Sequence, residues 1–168
     1  MYKVLILVLV IIDQLSKWLV RTNLANRNSI GIIDGIFNLT YVENRGAAFG
    51  IFQNMKMFFA VVAILVIIAG LVYIDKSVSK NVNTTNKKSS LSKINKKSKL
   101  LKINRVAVAI VVAGAVGNLI DRLWLGYVVD FFDFRFIWSY VFNFADILVV
   151  VGTIIFCVMT FILGEDEN

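Results

Sequence analysis

Residues 57–74 read MFFAVVAILVIIAGLVYI, a run of 18 residues without a charge in which only Gly70 falls outside the apolar set. A helix needs about 20 residues to cross the hydrocarbon core of a bilayer, and ~17 are enough. The run therefore predicts a membrane-spanning helix. Comparable apolar stretches occupy residues 4–20, 103–120 and 147–163. With 58% hydrophobic residues and a mean hydropathy of +0.77, the chain is predicted to be an all-α integral membrane protein with four transmembrane helices.

The first of these stretches is the least regular, because Asp13, Gln14, Ser16 and Lys17 interrupt it. An apolar segment at this position could also be a secretory signal peptide. Since three further spans follow and charged residues lie within the segment, we interpret it as an uncleaved first helix.

The basic residues are concentrated between the second and third spans. Nine lysines and one arginine lie in residues 76–105, out of 18 basic residues in the chain. The segment 75–102 is rich in Lys, Asn, Ser and Thr, which predicts a solvated loop, and the positive-inside rule makes this loop cytoplasmic. Both termini are then cytoplasmic as well. A nucleic-acid partner is not indicated despite the net charge of +7, because the segment lacks interleaved aromatic residues.

The first outer loop contains a segment typical of a strand. Residues 35–43 read GIFNLTYVE and are rich in aromatic and β-branched residues, which favours a strand. The next seven, NRGAAFG at 44–50, combine small residues that let the backbone approach a neighbour closely. We expect a small β-rich lobe over residues 21–56 on the outer membrane face, within a single domain of residues 1–168.

The chain contains no histidine, which excludes Ser-His-Asp catalysis and zinc sites built on histidine. Acid–base chemistry would fall to carboxylates, lysine or tyrosine. Asp13 lies near the middle of the first span, where an ionisable group is a functional candidate by default. Asp13 and Lys17 are four residues apart and can pair on one helix face, so we interpret them as structural.

Polar residues accumulate where the third helix leaves the membrane and the fourth enters it: Asn118, Asp121, Arg122, Asp130, Asp133, Asn143 and Asp146. Asp121 is expected to pair with its neighbour Arg122. Apolar neighbours around Asp130 and Asp146 should raise the pKa of each carboxyl group. Two such aspartates held close together would share one proton, so that one activates water and the other protonates a leaving group. The same residues would equally suit a proton or cation path.

Four segments resemble, in order and in spacing, the motifs of the lipoprotein signal peptidases (signal peptidase II), which are bacterial membrane aspartyl peptidases. They are DQLSK at 13–17, NRGAAFG at 44–50, GNLIDR at 117–122 followed by VVDF at 128–131, and FNFAD at 142–146. The resemblance implies that Asp130 and Asp146 are the catalytic pair. It implies a substrate-binding role for Asn44, Asn118, Arg122 and Asn143, and a supporting role for Asp13, Lys17 and Asp121.

The resemblance further implies hydrolysis of the peptide bond before a diacylglyceryl-modified cysteine in a prolipoprotein, without metal, cofactor or covalent intermediate. It places the enzyme in the bacterial cytoplasmic membrane with its active site near the outer face, in contact with lipid, and we expect a monomer. The alternative is a small polytopic membrane protein that uses the aspartates as a proton or ion relay. The chain departs from the family in its long lysine-rich insertion between the second and third spans.

Overall fold

The computed structural model describes residues 1–26, 29–46, 55–83, 91–135 and 140–165. Its elements, in chain order, are α1 (Tyr2–Leu24), β1 (Ser29–Ile33), β2 (Phe37–Asn44), α2 (Lys56–Asn83), α3 (Leu91–Trp124), β3 (Val128–Asp133), β4 (Val141–Phe142) and α4 (Phe144–Glu165). The described part of the chain is therefore mostly helical, with one small sheet.

Among the described residues, three helices are long and apolar enough to cross a membrane, over Lys56–Lys76, Lys97–Trp124 and Phe144–Gly164. These segments contain the predicted spans 57–74, 103–120 and 147–163. Helix α1 is long enough at 23 residues, but Asp13 and Lys17 interrupt its apolar run, so it is not among the three. A fourth span therefore stays a prediction.

Helix α3 is the central helix, because α1, α2 and α4 all pack against it. Its small residues make this possible: Ala109 and Ala113 have no exposed surface. At Gly117 an added Cβ would overlap the Asp13 carboxylate of α1. Small residues let transmembrane helices approach closely, so residues 109, 113 and 117 form a packing face of α3.

Replacing Gly114 by alanine should separate α3 from α4. A Cβ there would overlap the backbone oxygen of Ala145 and approach the Val149 side chain to 2.8 Å. Overpacking of this kind costs about 1–3 kcal/mol, so the thermal unfolding midpoint of Gly114→Ala in detergent should fall. Gly164→Ala is the matched control in α4, since nothing lies within 4 Å of the added atom. An unchanged midpoint for Gly114→Ala would contradict this helix contact.

The sheet combines both loops on the side of the bundle away from the lysine-rich segment. Its strand order is β1-β2-β3-β4, and each neighbouring pair is antiparallel. The strand expected at 35–43 is confirmed as β2. The sheet is nevertheless larger than the lobe expected over 21–56, because β3 and β4 come from the segment between α3 and α4. Val20 and Leu24 of α1 pack against Val129 and Phe131 of β3, so the sheet rests on the end of the first helix.

The prediction of a solvated loop over residues 75–102 is wrong for most of its length. Helix α2 continues to Asn83, and α3 begins at Leu91. Lysine has a high helix propensity, and serine and asparagine lower it only modestly, so a polar composition does not prevent a helix from continuing beyond its apolar part. Residues 84–90 lie outside the described chain.

Candidate active site

Asp130 and Asp146 come from different elements and meet through Asn143. Asp130 is the third residue of β3, and Asp146 is the third residue of α4. The side-chain amide of Asn143 donates to Asp130 Oδ1 at 2.5 Å. Its backbone N–H donates to Asp146 Oδ2 at 3.1 Å. A single asparagine thus forms hydrogen bonds with both carboxylates and keeps the two groups near each other.

Asn143 and Asp146 also form the N-terminal cap of α4. Asn143 directly precedes the helix, and its Oδ1 accepts the backbone N–H of Asp146 at 3.0 Å. Asp146 returns a bond by accepting the backbone N–H of Asn143. This reciprocal arrangement is a capping box, which satisfies N–H groups that have no partner within the helix. The position of the Asp146 carboxylate is therefore set by the start of the helix itself.

Two further amides complete the carboxylate environment. Asn44, the last residue of β2, donates to Asp130 Oδ2 at 2.8 Å. Asn118 of α3 donates to Asp146 Oδ1 at 2.7 Å. Each of the four carboxylate oxygens thus accepts a hydrogen bond from a described residue. The three asparagines expected at the substrate site, Asn44, Asn118 and Asn143, all lie in direct contact with the aspartates.

Arg122 stands beside this group, half-buried on the last turn of α3. Its Nη1 donates to the Asn118 carbonyl at 3.2 Å, and its guanidinium lies 5.5 Å from the centre of the Phe59 ring of α2. Its charge interacts with those of Asp130 and Asp146. The expected Asp121–Arg122 pair is wrong: Asp121 pairs with Lys17 instead, at 3.1 Å. Successive side chains on a helix point about 100° apart, so the two neighbours face different partners.

Lys17 is the centre of a buried network next to the aspartates. Its Nζ lies 2.9 Å from Asp13 Oδ2 and 3.1 Å from Asp121 Oδ2. It also donates to Asn118 Oδ1 at 2.9 Å. Lys17 is 3% exposed and Asp13 is not exposed at all. The Asp13–Lys17 pair predicted from the four-residue spacing is confirmed, and the structure adds Asp121 and Asn118 to it.

The supporting aspartates bind the backbone immediately before the two central ones. Asp13 Oδ1 accepts the N–H of Ala145 at 2.9 Å, one residue before Asp146. Asp121 Oδ2 accepts the N–H of Val129 at 3.1 Å, one residue before Asp130. The Lys17 network thus holds the start of α4 and strand β3 at once.

Gln14 belongs to the same network, although the sequence reasoning did not select it. Its Nε2 lies within hydrogen-bonding distance of Asp13 Oδ2 at 3.1 Å, the Gly117 carbonyl at 3.1 Å and Asp121 Oδ1 at 3.0 Å. The available signal was its place between Asp13 and Lys17, in the polar interruption of the first apolar run.

The environment of Asp130 disfavours its ionised form. Asp130 is 2% exposed, between the buried residues Val129 and Phe131. Burial, and secondarily the charge of Asp146, raise the pKa of Asp130 to about 7, although the amides of Asn143 and Asn44 act in the opposite direction. The raised pKa expected for this carboxyl group is therefore confirmed, and near neutral pH both of its protonation states are populated.

A second polar cluster lies on β2 and the turn before β3, and the sequence reasoning did not predict it. The hydroxyl groups of Tyr41 and Tyr127 are 3.2 Å apart, and Tyr41 also donates to Glu43 at 3.2 Å. Burial and the neighbouring Tyr127 raise the pKa of Tyr41. Arg45 pairs with Glu43 at 3.0 Å. Asn44 lies between these last two residues in the chain, so the cluster fixes the end of β2 from which Asn44 reaches Asp130.

Some residues named from the sequence are not part of this geometry. Residues 47–50 of the NRGAAFG segment lie outside the described chain. Asp133 belongs to a different set of polar contacts from Asp130 and Asp146. It accepts a hydrogen bond from Thr40 at 2.7 Å and pairs with Arg135 at 3.1 Å. Among the described residues, no group of three or more Cys, Asp and Glu side chains is arranged to hold a metal ion.

Comparison with known proteins identifies the family of this chain. Residues 5–162 match the family model described as Signal peptidase (SPase) II. The lipoprotein signal peptidase of Clostridioides difficile (strain 630) is 45% identical over 158 residues, which cover 94% of this chain and 93% of that protein. The lipoprotein signal peptidase of Fusobacterium nucleatum subsp. nucleatum is 41% identical over 157 residues, covering 94% and 84%.

Two solved structures have a similar fold. Both are bacterial membrane enzymes determined by the in meso method. The first has a TM-score of 0.76 at 26% identity and covers 99% of this chain and 91% of its own. The second has a TM-score of 0.68 at 29% identity and covers 94% and 90%. Together with the match over 5–162, these similarities show that the chain belongs to the signal peptidase II family of bacterial membrane proteases.

Proposed function

We propose that this chain removes signal peptides from prolipoproteins by hydrolysing the bond before a diacylglyceryl-modified cysteine, with Asp130 and Asp146 as the catalytic pair. Membership of the signal peptidase II family carries the reaction and the substrate class. The observation that carries the catalytic assignment is the single asparagine, Asn143, that bonds to both carboxylates. The proposal involves no metal, cofactor or covalent intermediate.

In the proposed mechanism one carboxylate takes a proton while the other gives one. Asp146 removes a proton from water as the water oxygen attacks the scissile carbonyl carbon. Asp130, whose pKa is about 7, donates its proton to the departing nitrogen as the C–N bond breaks. The products are a carboxyl group and an amine, and transfer of the new proton from Asp146 back to Asp130 restores the starting state. An acid whose pKa lies near the working pH suits this role.

The polar groups around the pair suit an extended peptide. We assign substrate binding to Asn44, Asn118, Arg122 and Asn143, whose amides and guanidinium can bond to a peptide backbone. Three of them already touch an aspartate. Arg122 is placed to stabilise negative charge on the carbonyl oxygen, because a preorganised cation near developing charge lowers the barrier.

We further propose that α1 is the fourth span. Its charged residues Asp13 and Lys17 point into the protein, whereas Val4, Leu7 and Ile11 are 64%, 59% and 47% exposed. The outward face of the helix is thus apolar, as lipid contact requires. With the lysine-rich end cytoplasmic, both termini are cytoplasmic and the active site lies near the outer face. There the acyl chains of the substrate can remain in the bilayer, and a monomer is sufficient.

The direct test uses the purified full-length protein in detergent with two synthetic prolipoprotein peptides. One carries the diacylglyceryl group on its cysteine, and the other has a free thiol. We expect cleavage of the modified peptide alone, at the bond before the cysteine, identified by mass spectrometry of both products. If neither peptide is cut and the protein conducts protons in liposomes, the relay alternative replaces the peptidase. The sequence gives this alternative little support. A relay needs ionisable side chains spaced across the membrane, but in residues 57–74 and 147–163 the only ones are Tyr73 and Cys157.

The rate of cleavage should depend on pH. Asp130 must hold a proton to act as the acid, so kcat/KM should decrease as pH rises through about 7, the pKa of Asp130. A profile measured from pH 4 to 9 should therefore show this decrease on its alkaline side. A rate that remains constant above pH 8 would contradict the role of Asp130 as acid.

The same carboxyl group should make stability depend on pH. The pKa of Asp130 is raised from 3.8 to about 7 on folding, so between these values the folded chain binds more protons than the unfolded one. Its contribution to stability is complete below pH 3.8 and is lost as pH rises through about 7. The unfolding midpoint of the wild type should therefore fall relative to that of Asp130→Asn between pH 4 and 8. Parallel curves would show that folding does not shift this pKa.

A further inference from the structure

Arg105 of α3 is buried in the half of the helix remote from the two aspartates. It is 5% exposed. Its Nε and Nη2 are both enclosed, and neither has a hydrogen-bond partner. Among the residues that the structure describes, the guanidinium forms no ion pair either. Arginine is always charged in proteins, and a buried, unpaired charge is strongly unfavourable. The described protein therefore provides no anion for this side chain, and an external anion would stabilise it.

The neighbouring polar groups are directed elsewhere. The amide of Asn104 donates to Tyr73 of α2 and Thr160 of α4, at 3.2 Å each. The Asn104 side chain thus connects α3 to α2 and α4. It leaves the α3 axis at an angle about 100° from that of Arg105, since the two residues are neighbours in the helix. Asp75 of α2 also lies at this end of the bundle, and it is exposed and not paired with Arg105.

The Arg105 side chain is expected to lean towards the lysine-rich end of the bundle. It lies four residues before Ala109, which belongs to the cluster that packs against Tyr2, Leu5 and Ile6 of α1. Long side chains on a helix lean towards its N-terminus, and in α3 this is the direction of the lysines. Lys99 and Lys102 are exposed and precede Arg105 at three-residue steps, a spacing at which side chains are neighbours on a helix.

We propose that Arg105, with Lys102 beside it, binds the phosphate group of an anionic phospholipid from the membrane leaflet at the lysine-rich end. The guanidinium fork matches a phosphate in geometry and charge. Basic side chains next to a membrane also attract anionic lipids. The acyl chains would lie along the apolar faces of α1 and α2, where Val4 and Val72 are 64% and 44% exposed. Inorganic phosphate presents the same charged group to Arg105 but has no acyl chains to contact these helices.

The test compares lipid-dependent stabilisation in wild type, Arg105→Gln and Lys76→Gln. The full chain is delipidated in a maltoside detergent, and its unfolding midpoint is measured against added phosphatidylglycerol, the corresponding diacylglycerol, or inorganic phosphate. We expect phosphatidylglycerol alone to raise the wild-type midpoint. Arg105→Gln should need about tenfold more of it or more, since a hydrogen bond between charged groups is worth at least that factor. Lys76→Gln removes an exposed charge at the same end and should respond as wild type does.

Arg105→Met separates a binding role from a structural one. It removes the unpaired charge but keeps an apolar stem, so without lipid its midpoint should equal or exceed that of the wild type, and phosphatidylglycerol should not raise it further. A lipid response of Arg105→Gln equal to that of the wild type would overturn the proposal. So would an equal response of the wild type to inorganic phosphate or to diacylglycerol. None of these measurements depends on peptidase activity.

Discussion

Asp130→Asn and Asp146→Asn should each reduce kcat for prolipoprotein cleavage by about 10²–10⁴-fold or more, the usual contribution of a general acid or base. Asparagine preserves the shape of each side chain but can neither take the proton of water nor give one to the amine. Single-turnover cleavage of the diacylglyceryl-modified peptide by each purified variant measures this loss. Binding of the peptide should persist, because Asn44, Asn118 and Arg122 are unchanged.

Asp133→Asn is the matched control for these variants. Asp133 lies three residues after Asp130 on the same strand and is also buried, at 8% exposed, but it bonds to Thr40 and Arg135 and not to the catalytic pair. Its replacement should leave kcat within a small factor of wild type. If Asp133→Asn were as inactive as Asp130→Asn, the loss would reflect damage to β3. If Asp130→Asn or Asp146→Asn retained near wild-type turnover, the catalytic pair would be wrongly assigned, and Asp121 would be the next candidate.

Lys17→Met should be the most destabilising single change in the supporting network. It leaves Asp13 and Asp121 buried without their cation and removes a donor from Asn118. Removing one partner of a buried ion pair typically costs 3–5 kcal/mol, so we expect about this loss in the free energy of unfolding. Cleavage should fall as well, because Asp13 and Asp121 hold the backbone before each catalytic aspartate. Denaturant unfolding in detergent measures the first effect.

A second substitution should reverse part of this loss. In Lys17→Met with Asp13→Asn, one of the two uncompensated carboxylates is gone, so stability should rise above that of Lys17→Met alone. Lys3→Met provides the control, since Lys3 lies on the same helix but is exposed. A Lys17→Met protein as stable as Lys3→Met would mean that the buried charges are not coupled. A double variant less stable than either single one would mean that Asp13 acts independently of Lys17.

The elements that could be predicted from the sequence are those governed by local pattern. Apolar runs of bilayer length identified the three apolar helices. The four-residue spacing of Asp13 and Lys17 correctly predicted their pair, and the β-branched and aromatic composition of 35–43 correctly predicted β2. Each depends on residues close together in the chain, whose geometry a helix or strand determines by itself.

The site could not be derived in this way, because it depends on contacts between distant segments. The residues alone did not distinguish Asp130 from Asp121; the resemblance to a family made that choice. In the structure Asp121 is neutralised by Lys17, 104 residues earlier in the chain, whereas Asp130 lies opposite Val42 in the β2–β3 register. The Tyr41–Tyr127 contact was missed for the same reason, since it joins residues 86 positions apart.

The bonds from Asp13 to Ala145 and from Asp121 to Val129 have a consequence for thermal motion. The two carboxylates that we propose as the catalytic pair belong to a strand and a helix that could otherwise fluctuate independently. Because Asp13 of α1 and Asp121 of α3 both pair with the Lys17 ammonium, we expect the two elements to move together. Their separation should then be preserved while their common position varies. An enzyme whose substrate is held in a fluid bilayer can follow that substrate without losing the distance on which its proton transfers depend.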